Sequence, residues 1–351
     1  MRTSCPIAGF TLTALFCTGI AFGADPRLTN LVMPDATSVA GANVTNAEIS
    51  PFGQYVLTQL TSSIDQQLQT FVTATGFDPR QDVSEILAAS SGNAVNPAGL
   101  VLALGTFPVA QMTAAIAAKD PQLTVQNYDG ATLITGGTKA SFSIAFLGTT
   151  IAIIGDTASV KAAVDRSSGV NSLSPALAVQ IQTLSTTEDA WALTNAPFAS
   201  LIPELGAASG TGTSSPVSQI GQMFSGIQAS SGGIKFGTTV QITGQALTTD
   251  AATATSLANV IQALASIVSM AGTQNAQAAS MAQLLQGLKV TASGATVNLA
   301  LSIPETQIET ILNGLKNESK PASKPASNPT IRPAIMLQGQ SGLTNFVSGT
   351  R

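Results

Sequence analysis

The chain has 351 residues, 44% hydrophobic and only 9% charged, with no histidine and two cysteines, Cys5 and Cys17. Eight basic and 17 acidic residues fall in 24–315, and five basic and one acidic residue fall in 316–351, so an acidic body precedes a basic tail. Imidazole chemistry is excluded, thiol chemistry goes if the N-terminus is removed, and the body has no long basic patch for nucleic acid.

Residues 1–23 read as a secretory signal peptide. Arg2 supplies the positive end, and Ile7 to Phe22 is mostly apolar. Ala21-Phe22-Gly23 places small residues where signal peptidase needs them. A cut after Ala24 would put bulky Phe22 at a small-residue position, so the cut is expected after Gly23. Thr11, Thr13 and Thr18 interrupt a stretch already short for a membrane span. Cys17 follows Leu15-Phe16, a poor lipoprotein site. The mature chain then lacks cysteine and must be stabilised by packing. Export without disulfides suits a bacterial periplasm or exterior.

In chain order, Ser38–Val44 is a predicted strand. A helix follows from Pro51 with Ser50 as its N-cap. Val83–Ala89 and Leu100–Leu104 are strands and Pro108–Ala118 a helix. Asp129-Gly130 marks a hairpin between Leu123–Val125 and Thr132–Thr135. A second hairpin, Phe142–Phe146 with Ile151–Ile154, turns at Gly148, and Asp156 caps a helix over Thr157–Asp165. The second half opens with strand Ala190–Thr194, and Ser215-Pro216 starts a helix to Phe224. Ile227–Ala229 and Thr239–Ile242 are strands. Leu257, Val260, Ile261, Leu264, Ile267 and Val268 follow helical spacing within a run, Ala251 to Leu288, that has no charge. Lys289–Ala292 and Thr296–Leu301 form a hairpin, after which Ser302 and Glu305 form a capping box.

Three segments recur in order. Val44-Thr45-Asn46-Ala47 resembles Leu193-Thr194-Asn195-Ala196. Leu87 to Gly92 resembles Ile227 to Gly232, and Phe146 to Ile151 resembles Ala292 to Val297, at offsets of 149, 140 and 146. This order implies an internal duplication. The expected fold is α+β: two similar units, each a mainly antiparallel sheet covered by helices. The expected division is 1–23 signal peptide, 24–185 first repeat, 186–316 second repeat and 317–351 tail. In the tail, Lys320-Pro321-Ala322-Ser323 repeats as Lys324-Pro325-Ala326-Ser327, a composition that cannot build a core and reads as disordered.

Met33-Pro34-Asp35-Ala36 leading to Val39-Ala40-Gly41, then Ser50-Pro51-Phe52, Gly76-Phe77-Asp78-Pro79-Arg80, Asp82-Val83, and Leu147-Gly148 running into Ile154-Gly155-Asp156 carry a family likeness. Over residues 31–170 the chain resembles exported bacterial proteins of unassigned function with a duplicated α+β body. The resemblance implies fold and export and carries no functional residues. The low charge of this chain departs from that group.

The binding candidates are Asp78 and Arg80, an acid and a base in a turn, and Glu188 and Asp189 beside Trp191, the single tryptophan. The plainer readings are a solvated turn after a Gly76 helix cap, and a core tryptophan at a strand start. Glu305 and Glu309 share a helix face but suit the helix dipole. Gly210-Thr211-Gly212 lacks the lysine of a phosphate loop. Ser159 and Lys161, two apart on a helix, point away from each other. No catalytic, cofactor or metal residues are assigned. The reading is an exported, non-catalytic binding or scaffold protein of the cell envelope, its partner a protein or polymer, with a basic tail suited to an anionic surface. The alternative is a carboxylate- or Ser/Lys-based hydrolase of polysaccharide or cell-wall material. With no imidazole, stability is expected to change little between about pH 6 and 8.

Overall fold

The computed structural model describes residues 23–62, 65–91, 98–136, 142–169, 173–197, 224, 226–272 and 276–310. The described residues belong to one compact unit, and residues 311–351 lie outside them. The predicted signal peptide to residue 22, the helix from Ser215 and the Gly210-Thr211-Gly212 segment also lie outside them.

The elements in order are α1 (Pro26–Thr29), β1 (Ser38–Asn43), α2 (Val44–Ile49), α3 (Pro51–Ser62), α4 (Asp65–Thr75), β2 (Val83–Ser90), β3 (Gly99–Gly105) and α5 (Val109–Lys119). There follow β4 (Leu123–Tyr128), β5 (Ala131–Gly136), β6 (Phe142–Leu147), β7 (Ile151–Asp156), α6 (Thr157–Arg166), α7 (Pro175–Thr187) and β8 (Ala190–Thr194). The last are β9 (Ile227–Lys235), β10 (Thr239–Thr248), α8 (Ala251–Ala271), α9 (Ala276–Leu285), β11 (Lys289–Ser293) and β12 (Thr296–Pro304).

Local chemistry accounts for most boundaries. Backbone N–H groups donate to the capping side chains Asn43, Asp156 and Asp250 at 2.9, 2.9 and 2.8 Å. Ser174 caps α7 with Pro175 at the first helical position, a signal that sequence reading passed over. Asp129 and Gly130 both have positive φ, 47° and 80°, as a two-residue type I′ hairpin turn requires. The expected capping box at Ser302 does not form. Strand β12 continues through Pro304, with Ser302 paired to Gln241, so the helical turn begins only at Glu305. Pairing along β10 outweighs the local cap signal.

The fold is α+β with a large antiparallel sheet. Twelve strands form one sheet in the order β11-β12-β10-β9-β8-β1-β2-β3-β7-β6-β5-β4. The strands of both sequence halves meet where β1 pairs with β8. Outward from that pair the order is β2, β3, β7, β6, β5, β4 on one side and β9, β10, β12, β11 on the other. Gly148 and Gly294, with φ of 57° and 56°, turn the β6–β7 and β11–β12 hairpins.

One cross-strand row tracks a single face from β12 to β6: Leu301, Ile242, Ile234, Ala190, Ala42, Ile86, Ala103, Ala152, Phe146. On the first side of the sheet this face is covered by α2 to α5, whose Val44, Leu57, Phe71 and Met112 pack with Phe77, Phe107 and Phe146. The opposite face packs against Leu28 of α1, Val160 and Val164 of α6, and Leu177 and Ile181 of α7. Consecutive strand residues therefore enter different cores: Leu133 and Ile134, Ala145 and Phe146, Ile153 and Ala152. On the second side, Ala254, Leu257 and Ala258 of α8 cover the row's face, against Ala246, Val290 and Val297. The other face there is polar, with Gln241, Thr243 and Gln245 exposed.

Candidate binding surface

Asp78 and Arg80 sit in the turn after α4, which ends at Gly76 with φ of 72°. The Arg80 guanidinium donates to both Asp78 oxygens, at 2.9 and 2.7 Å. That hydrogen bond holds the Asp78 carboxyl below its ordinary range. The Asp78 backbone N–H donates to Asp82 at 2.7 Å, so the pair braces the turn into β2.

The second candidate group is built into the sheet. Trp191 is buried among the residues of the main core and lies over Gly41, its cross-strand partner. A Cβ at Gly41 would stand 2.6 Å from the indole, so glycine there is what admits the ring. Asp189 is buried and accepts from Asn46 Nδ2 and from the Phe236 backbone N–H, both at 2.6 Å, tying α2 to the end of β9. Glu188 ends α7 and accepts from the Thr243 hydroxyl at 2.9 Å. No described hydrogen bond joins this group to Asp78 and Arg80. Glu305 and Glu309 lie on the turn after β12.

Two concavities have linings without an ionisable residue. The first, about 510 Å³, lies at the centre of the sheet on the face of the cross-strand row. Its floor is two further rows across β2, β1, β8 and β9: Ser90, Ser38, Thr194, Ser230, then Ala88, Ala40, Ala192, Gly232. Ser38 Oγ donates to Thr194 Oγ1 at 2.9 Å, so two of the hydroxyls are already bonded together. The second, about 740 Å³, runs along α5 between Phe107, Val109, Ala114 and Thr132.

Among the described residues, helix α8 carries several exposed large apolar side chains along one element. Its first half is anchored by Ala254, Leu257 and Ala258, and Gln262 Nε2 donates to the Val290 carbonyl at 3.1 Å. Beyond that point Leu264, Ile267 and Met270 are 38%, 56% and 64% exposed, and Met281 of α9 is 40% exposed. By length and composition alone, α8 is apolar enough to cross a bilayer. The helical spacing was legible in the sequence, but Leu264 and Ile267 of its apolar stripe are left exposed. Among those residues no three His, Cys, Asp or Glu side chains converge as a metal site would require.

No family model matches the chain, and no curated protein sequence matches it. Solved structures do. Crystal form III of TP0453, a Treponema protein, aligns with a TM-score of 0.52 at 9% identity, over 82% of this chain and 97% of that one. Crystal form IV of the same protein aligns with a TM-score of 0.46 at 10% identity, over 81% and 96%. The form III likeness is one of fold. It places a bacterial protein beside this chain across most of its length.

Glu85 is the ionisable residue that sequence reading missed. It is half-buried on β2, opposite Asn43 and Leu104, where the register slips between Val83 and Glu85. Burial pushes its carboxyl up to about 7, against hydrogen bonding from the Asp25 backbone. This overturns the expected flat stability between about pH 6 and 8. A carboxyl raised in the folded state contributes stability below its unfolded value and loses it as pH rises through the folded one. Nothing in the local sequence Ser84-Glu85-Ile86 marks it, because the backbone N–H that its carboxylate accepts from, that of Asp25, lies 60 positions away.

Proposed function

We propose that the protein is an exported, non-catalytic binding or scaffold protein of the bacterial cell envelope, built by internal duplication, which holds its partner through uncharged apolar surface. The observation that carries this reading is the exposed stripe Leu264, Ile267 and Met270 on a helix without charge. A soluble monomer gains nothing from such a stripe, whereas a partner protein or polymer that covers it removes apolar area from water. The uncharged linings of both concavities and the bacterial structural neighbour support it. The first four strands outward from β1 and from β8 follow the same order, which supports the duplication, although β5 and β4 extend one side further. The basic tail from residue 317 is proposed to add contact with an anionic surface.

The test is envelope fractionation of Ile267→Lys/Met270→Lys beside the parent chain. Both positions are exposed, so the fold should persist with a stability change within about 0.5 kcal/mol each. The variant should shift to the soluble fraction. Unchanged retention, or robust hydrolase turnover abolished by changing one carboxylate, overturns the reading.

A further inference from the structure

We infer that the fold contains a seat for a free α-ammonium group at Ala24, created by cutting the chain between Gly23 and Ala24, and that Glu85 is its counter-ion. The inference deepens the proposed export and rests on it for the cut.

Ala24 is only 8% exposed, and its backbone nitrogen donates to Ser185 Oγ of α7 at 2.8 Å. Ser185 spends its own proton on the Ile181 carbonyl at 2.7 Å, so its lone pairs face Ala24. The next nitrogen, that of Asp25, donates to both Glu85 carboxylate oxygens at 3.2 Å. Successive backbone nitrogens lie roughly 3–3.7 Å apart, which brings the Ala24 nitrogen within about 7 Å of that carboxylate.

The carboxylate lacks a cation of its own among the described residues. The charged groups near it are Asp25, a like charge, and Arg27. Arg27 is committed to Asp25, with Nε and Nη2 at 3.0 and 2.8 Å. Helix α7 offers only the uncharged Gln182 and Ser185 here, β1 offers Asn43 and β3 offers Leu104. In the uncut chain Ala24 contributes a neutral amide. Gly23 lies close against α7: a Cβ there would stand 2.6 Å from Gln182 Nε2 and 2.9 Å from Ser185 Oγ, so those side chains would have to shift.

Hydrolysis balances the change. Water adds its hydroxyl to the Gly23 carbonyl carbon and a proton to the Ala24 nitrogen, the C–N bond breaks, and near neutral pH the amine takes a further proton. A neutral donor becomes a cation beside a half-buried anion. The cut therefore places within about 7 Å of Glu85 a cation that the uncut chain lacks, and that charge favours ionised Glu85.

The experiment compares two purified chains that both begin at Ala24, one with a free amine and one acetylated, the acetyl group reproducing the amide of the uncut chain. Melting is followed by Trp191 fluorescence from about pH 5 to about pH 10.5, past the loss of the amine proton. The acetylated chain should lose stability as pH rises towards and through 7, as Glu85 ionises without a partner. The free chain should lose less, melting about 2–4 °C higher near pH 7. The gap should close above about pH 9, where the amine loses its proton, and should vanish when both chains carry Glu85→Gln. Equal melting of the two parents, or a gap that survives Glu85→Gln, overturns the seat. If Glu85→Gln does not fold, acylation kinetics of the α-amine decide: its pKa should lie above the ordinary value near 8, and an ordinary value overturns the pairing. Sequencing the N-terminus of protein recovered from the envelope tests the cut separately. A start at Ala24 supports it, a start elsewhere overturns it, and an intact Met1 overturns the signal-peptide reading while the defined chains still report on the seat.

Discussion

In β7, Ile151, Ala152 and Ile153 are all buried; in β10, buried Val240, Ala246 and Thr248 alternate with exposed Gln241, Thr243, Gln245 and Leu247. Both strands belong to one antiparallel sheet. The difference is how many faces are covered. Around β7, helices on both sides demand an apolar residue at every position. Around β10, α8 lies on one face and water meets the other, so polar residues return with a period of two. The first region buries apolar residues on both faces. The second buries them on one face, against α8 and against Phe52 of α3, and leaves Leu264 and Ile267 of α8 exposed. That leftover apolar area is why the second region, rather than the better packed first, is the proposed contact surface.

The largest effect should separate the two regions directly. Phe146→Ala removes a ring that is 1% exposed and packed near Phe107, at 5.9 Å between ring centroids, and should cost about 3–5 kcal/mol in urea unfolding. Gln245→Ala, on the uncovered face of β10, should stay within about 0.5 kcal/mol. A comparable cost for both would mean that the polar face is covered in solution and would erase the contrast.

Next in size is the join. Gly41→Ala forces a methyl against the Trp191 indole and should cost about 1–3 kcal/mol. Hydrogen exchange sharpens the comparison here: if one cooperative unit spans β1–β8, amides of β7 and β10 should lose protection together. Loss confined to one side would make the regions independent.

Asp189→Ala, a little smaller, leaves the Phe236 N–H and the Asn46 amide unpaired and should cost about 1–3 kcal/mol. The smallest effect is the cap of α6. Asp156→Ala should cost about 1 kcal/mol, read as a drop in melting temperature near neutral pH. Burial opposes ionisation of Asp156, but hydrogen bonds from Ser159, Gly99 and Ala158 prevail and hold the carboxyl below its ordinary range. Its contribution is therefore present above the unfolded value and lost as pH falls through the folded one. Parent and variant should converge in acid, and a gap that persists there would assign the effect to packing.

Elements whose information is local were legible in the sequence. The hairpin at Asp129-Gly130, the cap at Asp156 and the helix begun at Ser50-Pro51 lie where their turn and cap residues place them. Strands β9 and β10 run well beyond the expected Ile227–Ala229 and Thr239–Ile242, because mutual pairing carries Gly232, Gly233 and Gly244 into the sheet despite their poor strand preference. The α7 and α9 helices were passed over, α9 because its Ala- and Gln-rich run has no charge to mark a polar face. Of the candidate site, the Asp78–Arg80 pair was legible as a turn, since both partners are local. The burial of Asp189 and Glu85 was not, since Phe236 and Asp25 are distant in sequence.

By itself the sequence determined the absence of imidazole, the uncharged run from Ala251 to Leu288, the antiparallel α+β class and the positions of the hairpins. These follow from residue type and from short-range turn, cap and periodicity chemistry. Only the tertiary structure decided that the strands of both halves run as one sheet through β1–β8, that Leu264 and Ile267 of α8 are left exposed, and that Glu85 accepts from the Asp25 backbone beside Ala24. The join and the surroundings of Ala24 depend on contacts between residues 60 to 161 positions apart, such as Glu85 with Asp25 and Ser185 with Ala24. Burial and pairing at that range are properties of the packed chain, and no local window carries them.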